Sequence, residues 1–110
     1  MKTQHIGLTT TIMAAMAISA LHFVGFDGKV AAAGSKAVGI CEADSDTGEA
    51  CPVNVNGVLL VTAGGAIAVG QEVEVGADGK AVALASGKPN GYALDAAKND
   101  GEVIRIVRGI

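Results

Sequence analysis

The sequence contains no tryptophan and only three aromatic residues, Phe23, Phe26 and Tyr92. Its eight lysines and arginines are scattered along the chain, and the formal net charge is −3. Nucleic-acid interfaces need clustered positive charge or aromatic rings on which bases can stack. The composition therefore predicts no direct contact with nucleic acid.

Motifs that carry catalysis or bind cofactors are also missing. The sequence has no phosphate-binding glycine loop, no dinucleotide-binding motif and no serine nucleophile elbow. His5 and His22 have no companions at the spacing of zinc ligands. The acidic turn from Glu42 to Gly48 departs from a calcium loop, because Val55 stands where a bidentate Glu is needed. We predict no enzyme, no cofactor and no metal site.

Hydrophobic residues make up 50% of the 110 residues, and glycine occurs 16 times. Valine, isoleucine, leucine and alanine with frequent glycine turns favour one small all-β domain. No stretch reaches the roughly 20 uninterrupted apolar residues of a membrane span. An N-terminal signal peptide remains an alternative, because Lys2 precedes an apolar run from Ile12 to Leu21.

The chain contains an internal repeat. The segment 64–80, GGAIAVGQEVEVGADGK, has a fainter copy in 17–29, AISALHFVGFDGK. The tripeptides at Asp27 and Asp78 lie 51 residues apart, and each predicts a tight hairpin turn. In the second copy Glu72 and Glu74 alternate with valines, so we expect both carboxylates on a solvated face.

The repeat predicts a small single-domain β-barrel or β-tulip-like fold. Its two pseudo-repeated halves would span about 13–57 and 62–110 and share one core, within a domain of residues 8–110. Residues 1–7 would form an extended N-terminal arm. We expect Gly57 to end the strand that starts at Pro52, and we expect one helical turn over Ala93 to Lys98.

Cys41 and Cys51 flank the acidic turn. If this segment is a hairpin, the two side chains could face each other, so a disulfide is possible. Free buried thiols are the favoured interpretation, because no other feature of the sequence requires an oxidising compartment.

The whole chain resembles the bacteriophage head-decoration, or capsid cement, family. The segments that carry the resemblance are KTQHIGLTTTI, HFVGFDGKVAAAGSKAVGI, PVNVNG, AGGAIAVGQEVEVGADGKAV and GYALDAAKNDGEVIRIVRGI, in that order. The resemblance implies a β-rich protein that binds the major capsid protein on the outside of the head, commonly as a homotrimer, and reinforces the shell against DNA pressure. It also implies a host cytoplasmic location during assembly and a virion location afterwards, which favours reduced thiols.

We expect the capsid contact in the arm, because the arm lies outside the repeat and could add a strand to a capsid edge. The expected contact residues are Lys2, Thr3, Gln4, His5 and Ile6. Two alternatives remain: an exported or envelope-associated β-domain with a cleaved signal, and a biotinyl or lipoyl-type carrier domain. The carrier needs an exposed lysine in a Met-Lys-Met or Asp-Lys-Ala setting, whereas Lys29 and Lys80 follow Asp-Gly.

Overall fold

The structure is a computed structural model that describes residues 2–110, and strands account for its regular secondary structure apart from a single 3-10 turn at Ala77–Gly79. The strands are β1 (His5–Met13), β2 (Phe23–Val24), β3 (Gly39–Cys41), β4 (Ala50–Thr62), β5 (Val73–Val75), β6 (Ala81–Ala83), β7 (Tyr92–Ala93) and β8 (Val103–Arg108). The predicted all-β fold is confirmed. No helix among the described residues is long and apolar enough to cross a bilayer.

Six of the strands form one antiparallel sheet, and β5 and β6 form a separate hairpin. The hydrogen-bonded order in the large sheet is β2-β3-β4-β8-β7, and β1 also pairs with β4. This path runs from β2 to β7 as an open series, so closure into a barrel stays a prediction.

Strand β4 is the longest strand, with 13 residues, and it runs without interruption through Gly57. The expectation that Gly57 ends the strand is wrong. At φ +107° Gly57 adopts a conformation that suits glycine, and there β4 pairs with both β1 and β8. Since both strands pair with Gly57 and Val58, they lie on opposite edges of β4.

The two halves of the chain make the same backbone hydrogen bonds. The Ala14 N–H donates to the Glu49 carbonyl oxygen (2.9 Å), and 49 positions after Ala14 the Ala63 N–H donates to the Glu102 carbonyl oxygen (2.7 Å). The other matched pairs are Ile18 with Ser45 and Ile67 with Ala97, Leu21 with Cys41 and Gly70 with Ala93, and Gly25 with Lys29 and Gly76 with Lys80. Strand β4 therefore ends the first repeat and begins the second.

The second Asp-Gly turn has the geometry that the sequence predicts. Asp78 and Gly79 have φ values of +59° and +74°, and the Lys80 N–H donates to the Ala77 carbonyl oxygen (3.2 Å). Two consecutive positive φ values match the right-handed twist of the flanking strands β5 and β6.

Both repeats contribute side chains to the larger hydrophobic cluster, so the halves share a core as expected. Its largest fully buried members are Phe23, Ile40, Leu59, Val61, Val73, Val75, Ile104 and Ile106. A smaller cluster lies within the first repeat and contains Cys41 and Cys51.

Two further expectations are wrong. Glu74 is buried, with 8% of its surface exposed, and its Oε1 accepts a hydrogen bond from the Ala85 N–H. The segment from Ala93 to Lys98 forms no helical turn: Ala93 belongs to β7, and Ala97 exchanges hydrogen bonds with Ile67. The repeat imposes this extended pairing, because Ile18 and Ser45 make the same exchange in the first half.

Replacing Gly57 by alanine will destabilise the fold through both its φ value and its lack of space. A Cβ atom there would lie 2.3 Å from the His5 carbonyl oxygen and 2.7 Å from the Gly7 nitrogen. Gly48 is a matched control, since its φ is +85° and a Cβ would meet nothing within 4 Å. In urea unfolding we expect Gly48→Ala to cost about 1 kcal/mol and Gly57→Ala roughly 3 kcal/mol. Equal losses would contradict the close approach of β1 to β4.

Candidate functional site

The residues expected to contact a capsid lie at the start of β1 and just before it. Lys2, Thr3, His5 and Ile6 are exposed and define what we call the N-terminal surface. Gln4 differs from them, because it is half-buried and its Oε1 accepts a hydrogen bond from the Leu60 N–H of β4 (2.9 Å). Met1, also part of the predicted arm, lies outside the described residues.

Strand β1 crosses the predicted boundary at residue 7. His5 pairs with Val58 and Ile6 pairs with Gly57, so these two residues are already held against β4. The division into an arm and a domain stays a prediction. Of the expected contact residues, His5 and Ile6 are therefore presented on a paired strand, which limits the conformations that these two must lose on binding.

Two carboxyl groups of the second repeat, Asp95 and Glu102, lie within electrostatic range of Lys2. Hydrogen bonds are the main cause of the lowered pKa of each carboxyl group, and the positive charge of Lys2 adds a smaller contribution in the same direction. The main cause for Glu102 is the hydrogen bonds that it accepts from the Asn99 and Lys98 N–H groups. The N-terminal surface therefore adjoins a charge cluster in which both signs occur.

The strongest ion pair of this cluster joins Asp95 to Arg105 of β8. Arg105 Nη2 lies 2.9 Å from Asp95 Oδ1, and Arg105 Nε lies 3.0 Å from Oδ2. The Arg105 backbone N–H also donates to Oδ2 (2.9 Å). Hydrogen bonding from Arg105 lowers the pKa of Asp95 to about 2. Such a bidentate pair holds the segment before β8 at a defined position.

The sequence did not indicate a recess of about 390 Å³ beside β7 and β8. Its lining includes Lys36, Glu72, Tyr92 and Arg108. Arg108 Nη2 donates to the Ala37 carbonyl oxygen (3.0 Å), whereas Nη1 is buried without a partner among the described residues. Burial lowers the pKa of Arg108. In the sequence, the only indication of this recess is the set of polar residues in alternating strand patterns. Such a pattern is a weak indication of a recess.

Cys41 and Cys51 are both fully buried, and their sulfur atoms lie 2.8 Å apart. Burial, followed by the hydrogen bond with Cys51, raises the pKa of Cys41 to about 11. At neutral pH this thiol therefore carries almost no thiolate, the form that reacts. The choice between free thiols and a disulfide stays a prediction that favours free thiols.

Carboxylates of the acidic turn bind backbone groups of the protein itself. Asp44 Oδ1 accepts a hydrogen bond from the Ala20 N–H (2.8 Å), and Glu49 Oε1 accepts one from the Asp46 N–H (2.6 Å). Residues 2–110 contain no group of three or more His, Cys, Asp or Glu side chains that could hold a metal ion. These hydrogen bonds within the protein stabilise the turn and account for the positions of its acidic side chains.

Comparison with known proteins identifies the family. A family model described as phage cement protein matches residues 1–108. The chain belongs to the phage cement protein family. Like the other members, this cement protein is a structural protein of the phage capsid, and the family predicted from the sequence is confirmed.

A solved structure supports the same assignment. This cement protein matches the head fiber gp8.5 N base in bacteriophage phi29 with a TM-score of 0.74 and 26% sequence identity. The alignment covers 93% of each chain. No curated protein matches the sequence.

The ion pair between Asp95 and Arg105 predicts a loss of stability in acid. Because the folded pKa of Asp95, about 2, lies below its ordinary value of 3.8, the ionised carboxylate stabilises the fold above pH 4. This stabilisation is lost as the pH falls from 4 to 2. We expect Asp95→Asn to be less stable than the natural protein at pH 7 in urea unfolding. The difference should shrink over that window, and a pH-independent difference would contradict the prediction.

The buried thiols predict protection from alkylation. Iodoacetamide at pH 8 should modify neither cysteine in the folded protein and both Cys41 and Cys51 in denaturant, because burial excludes the reagent and raises the pKa of Cys41. Intact mass measurement reads the number of adducts. A reduced sample serves as the control. Modification that requires reductant even in denaturant would reveal a disulfide.

Proposed function

We propose that this protein is a capsid decoration protein that binds the outer surface of the assembled head as a homotrimer and stabilises the shell against the pressure of packaged DNA. The observation that carries the proposal is the match to the phage cement family over residues 1–108. The likeness to a phage head fiber base supports a position on the outside of the head.

The partner in this proposal is the major capsid protein, and the contact is the N-terminal surface. Lys2, Thr3, His5 and Ile6 are exposed, so they can be buried by a partner without any rearrangement of the core. Gln4 supports this surface, because its hydrogen bond with the Leu60 N–H fixes the chain just before β1 against β4. A partner strand could then add to this segment with a small loss of conformational entropy.

Weak contacts of this kind become strong in an oligomer. When three subunits engage one shell, the second and third contacts form at a high effective concentration. Binding that spans neighbouring capsid subunits lowers the free energy of the closed shell relative to a ruptured one. The protein would fold in the host cytoplasm and remain on the virion, and it would need no cofactor.

The proposal predicts that charge reversal on the N-terminal surface weakens head binding. We expect Lys2→Glu combined with Thr3→Glu to lower the affinity for heads that lack this protein by at least about tenfold, because both exposed side chains would enter the contact. Sedimentation with undecorated heads gives the bound fraction, and the temperature at which filled heads release DNA gives the stabilisation.

A variant with Lys29→Glu and Thr47→Glu is a matched control, because it makes the same two changes at exposed positions outside the N-terminal surface. It should bind heads and protect them like the natural protein. Equal binding by the two variants would remove the N-terminal surface from the mechanism. Absence of binding by the natural protein would contradict the proposed function itself.

A further inference from the structure

The outer edge of strand β1 has unpaired backbone groups. Thr11 lies opposite Pro52, whose carbonyl oxygen accepts a hydrogen bond from Glu42 on the far side of β4. Ala14, directly after β1, donates its N–H to the carbonyl oxygen of Glu49, directly before β4. Since N–H groups alternate along an antiparallel strand, those of Thr11 and Met13 point away from β4, and neither has a partner within residues 2–110.

From Thr9 to Met13 this edge lacks the features that normally prevent strand addition, since the β-bulges of β1 lie between Ile6 and Thr9. Natural edge strands are protected by charges, prolines, β-bulges or short length. Strand β1 has nine residues and contains no proline, and the sequence has no Asp, Glu, Lys or Arg from Thr3 to Phe26. Leu8 and Met13 expose 52% and 62% of their surfaces. Gly28 of the same chain approaches the Met13 carbonyl oxygen, since a Cβ atom there would lie 2.4 Å from it. The Thr11 and Met13 N–H groups remain available to another chain.

The second repeat contains the same edge in a covered state. Leu60 and Thr62 of β4 stand 49 positions after Thr11 and Met13, and their N–H groups also point away from the neighbouring strand β8. The Leu60 N–H donates to Gln4 Oε1 (2.9 Å), and the Thr62 N–H donates to the Leu21 carbonyl oxygen (2.8 Å). Both acceptors belong to the N-terminal half of the chain, Gln4 just before β1 and Leu21 within the first repeat. The N-terminal half therefore already covers this edge of the second repeat within a single chain.

The second repeat also contains the matching acceptor. Gly70 is the counterpart of Leu21, and both have positive φ values, +84° and +64°. The Leu21 carbonyl oxygen binds Thr62, whereas the Gly70 carbonyl oxygen has no backbone partner within the described part of the chain. Gly70 is exposed, and Val69 beside it exposes 65% of its surface.

We propose that the outer edge of β1 binds the Val69–Gly70 segment of a second copy of this chain, with the Met13 N–H donating to the Gly70 carbonyl oxygen of that copy. This contact between two chains would repeat the contact that joins the two repeats within a single chain. It is a head-to-tail contact, which must close into a ring or extend as a filament. The inference deepens the oligomeric part of the proposed function and is tested apart from head binding.

The first test places a charge on the edge. Thr11→Lys should raise the dissociation constant of the oligomer by at least about tenfold, because a lysine on the edge opposes strand addition. Thr47→Lys is the matched control at an exposed position in the acidic turn. Light scattering after size-exclusion chromatography measures the mass over a range of concentrations. Urea unfolding confirms that both variants fold.

The second test pairs the two sides of the contact. Met13→Lys and Val69→Asp should each weaken assembly, and the double variant should regain it, because opposite charges then meet across the interface. A double variant that assembles no better than either single variant would overturn the pairing.

Two further outcomes would overturn the inference while leaving head decoration intact. One is a natural protein that stays monomeric at high concentration and still binds heads. The other is a Thr11→Lys variant with unchanged mass and lost head binding, which would assign the edge to a strand of the shell. Loss of head binding in the Lys2 and Thr3 variant with unchanged mass would support separate surfaces for the two contacts.

Discussion

The pairing of β4 with a strand on each edge is the interaction on which the rest of the structure depends. Its first half closes the first repeat against β1 and β3, and its second half opens the second repeat against β8. Because one continuous strand serves both repeats, their relative position is set by covalent geometry as well as by the shared core. Gly57 makes this possible, since the backbones of β1 and β4 approach there too closely for a side chain.

The same pairing explains how a segment without buried side chains becomes ordered. Strand β1 contributes little to the core, since eight of its nine residues are exposed. Its order comes from backbone hydrogen bonds to β4, from the side-chain bond between Thr9 and Asn54, and from the bond of Gln4 to Leu60. A surface held by backbone pairing leaves its side chains free for a partner, which suits a protein whose family function is attachment.

The sequence predicted what local chemistry or repetition specifies. Asp78-Gly79 predicted a turn because few residue pairs accept two positive φ values, and the duplicated Asp-Gly-Lys and Gly-Glu segments predicted the two halves.

Features that depend on contacts between distant parts of the chain could not be predicted from the sequence. Glu74 alternates like a solvated residue, yet loop residues near Ala85 cover it. Gly57 resembled a strand end because the sequence cannot show that the backbone of β1 pairs closely with β4 there. The recess beside Arg108 combines residues that are distant in the chain, so no spacing pointed to it.

The odd distribution of covered and bare edges follows from tandem repetition itself. In this chain the N-terminal half covers an edge of the second repeat. The equivalent edge of the first repeat is left uncovered, and the equivalent covering segment of the second repeat has no edge to cover. Thr11 and Gly70 mark these two ends. An isologous contact would bring like ends together and leave the donor and acceptor mismatched, whereas a head-to-tail contact satisfies both. Under the proposed contact, the duplication that builds the shared core would also determine which kind of symmetry an assembly of this chain can have.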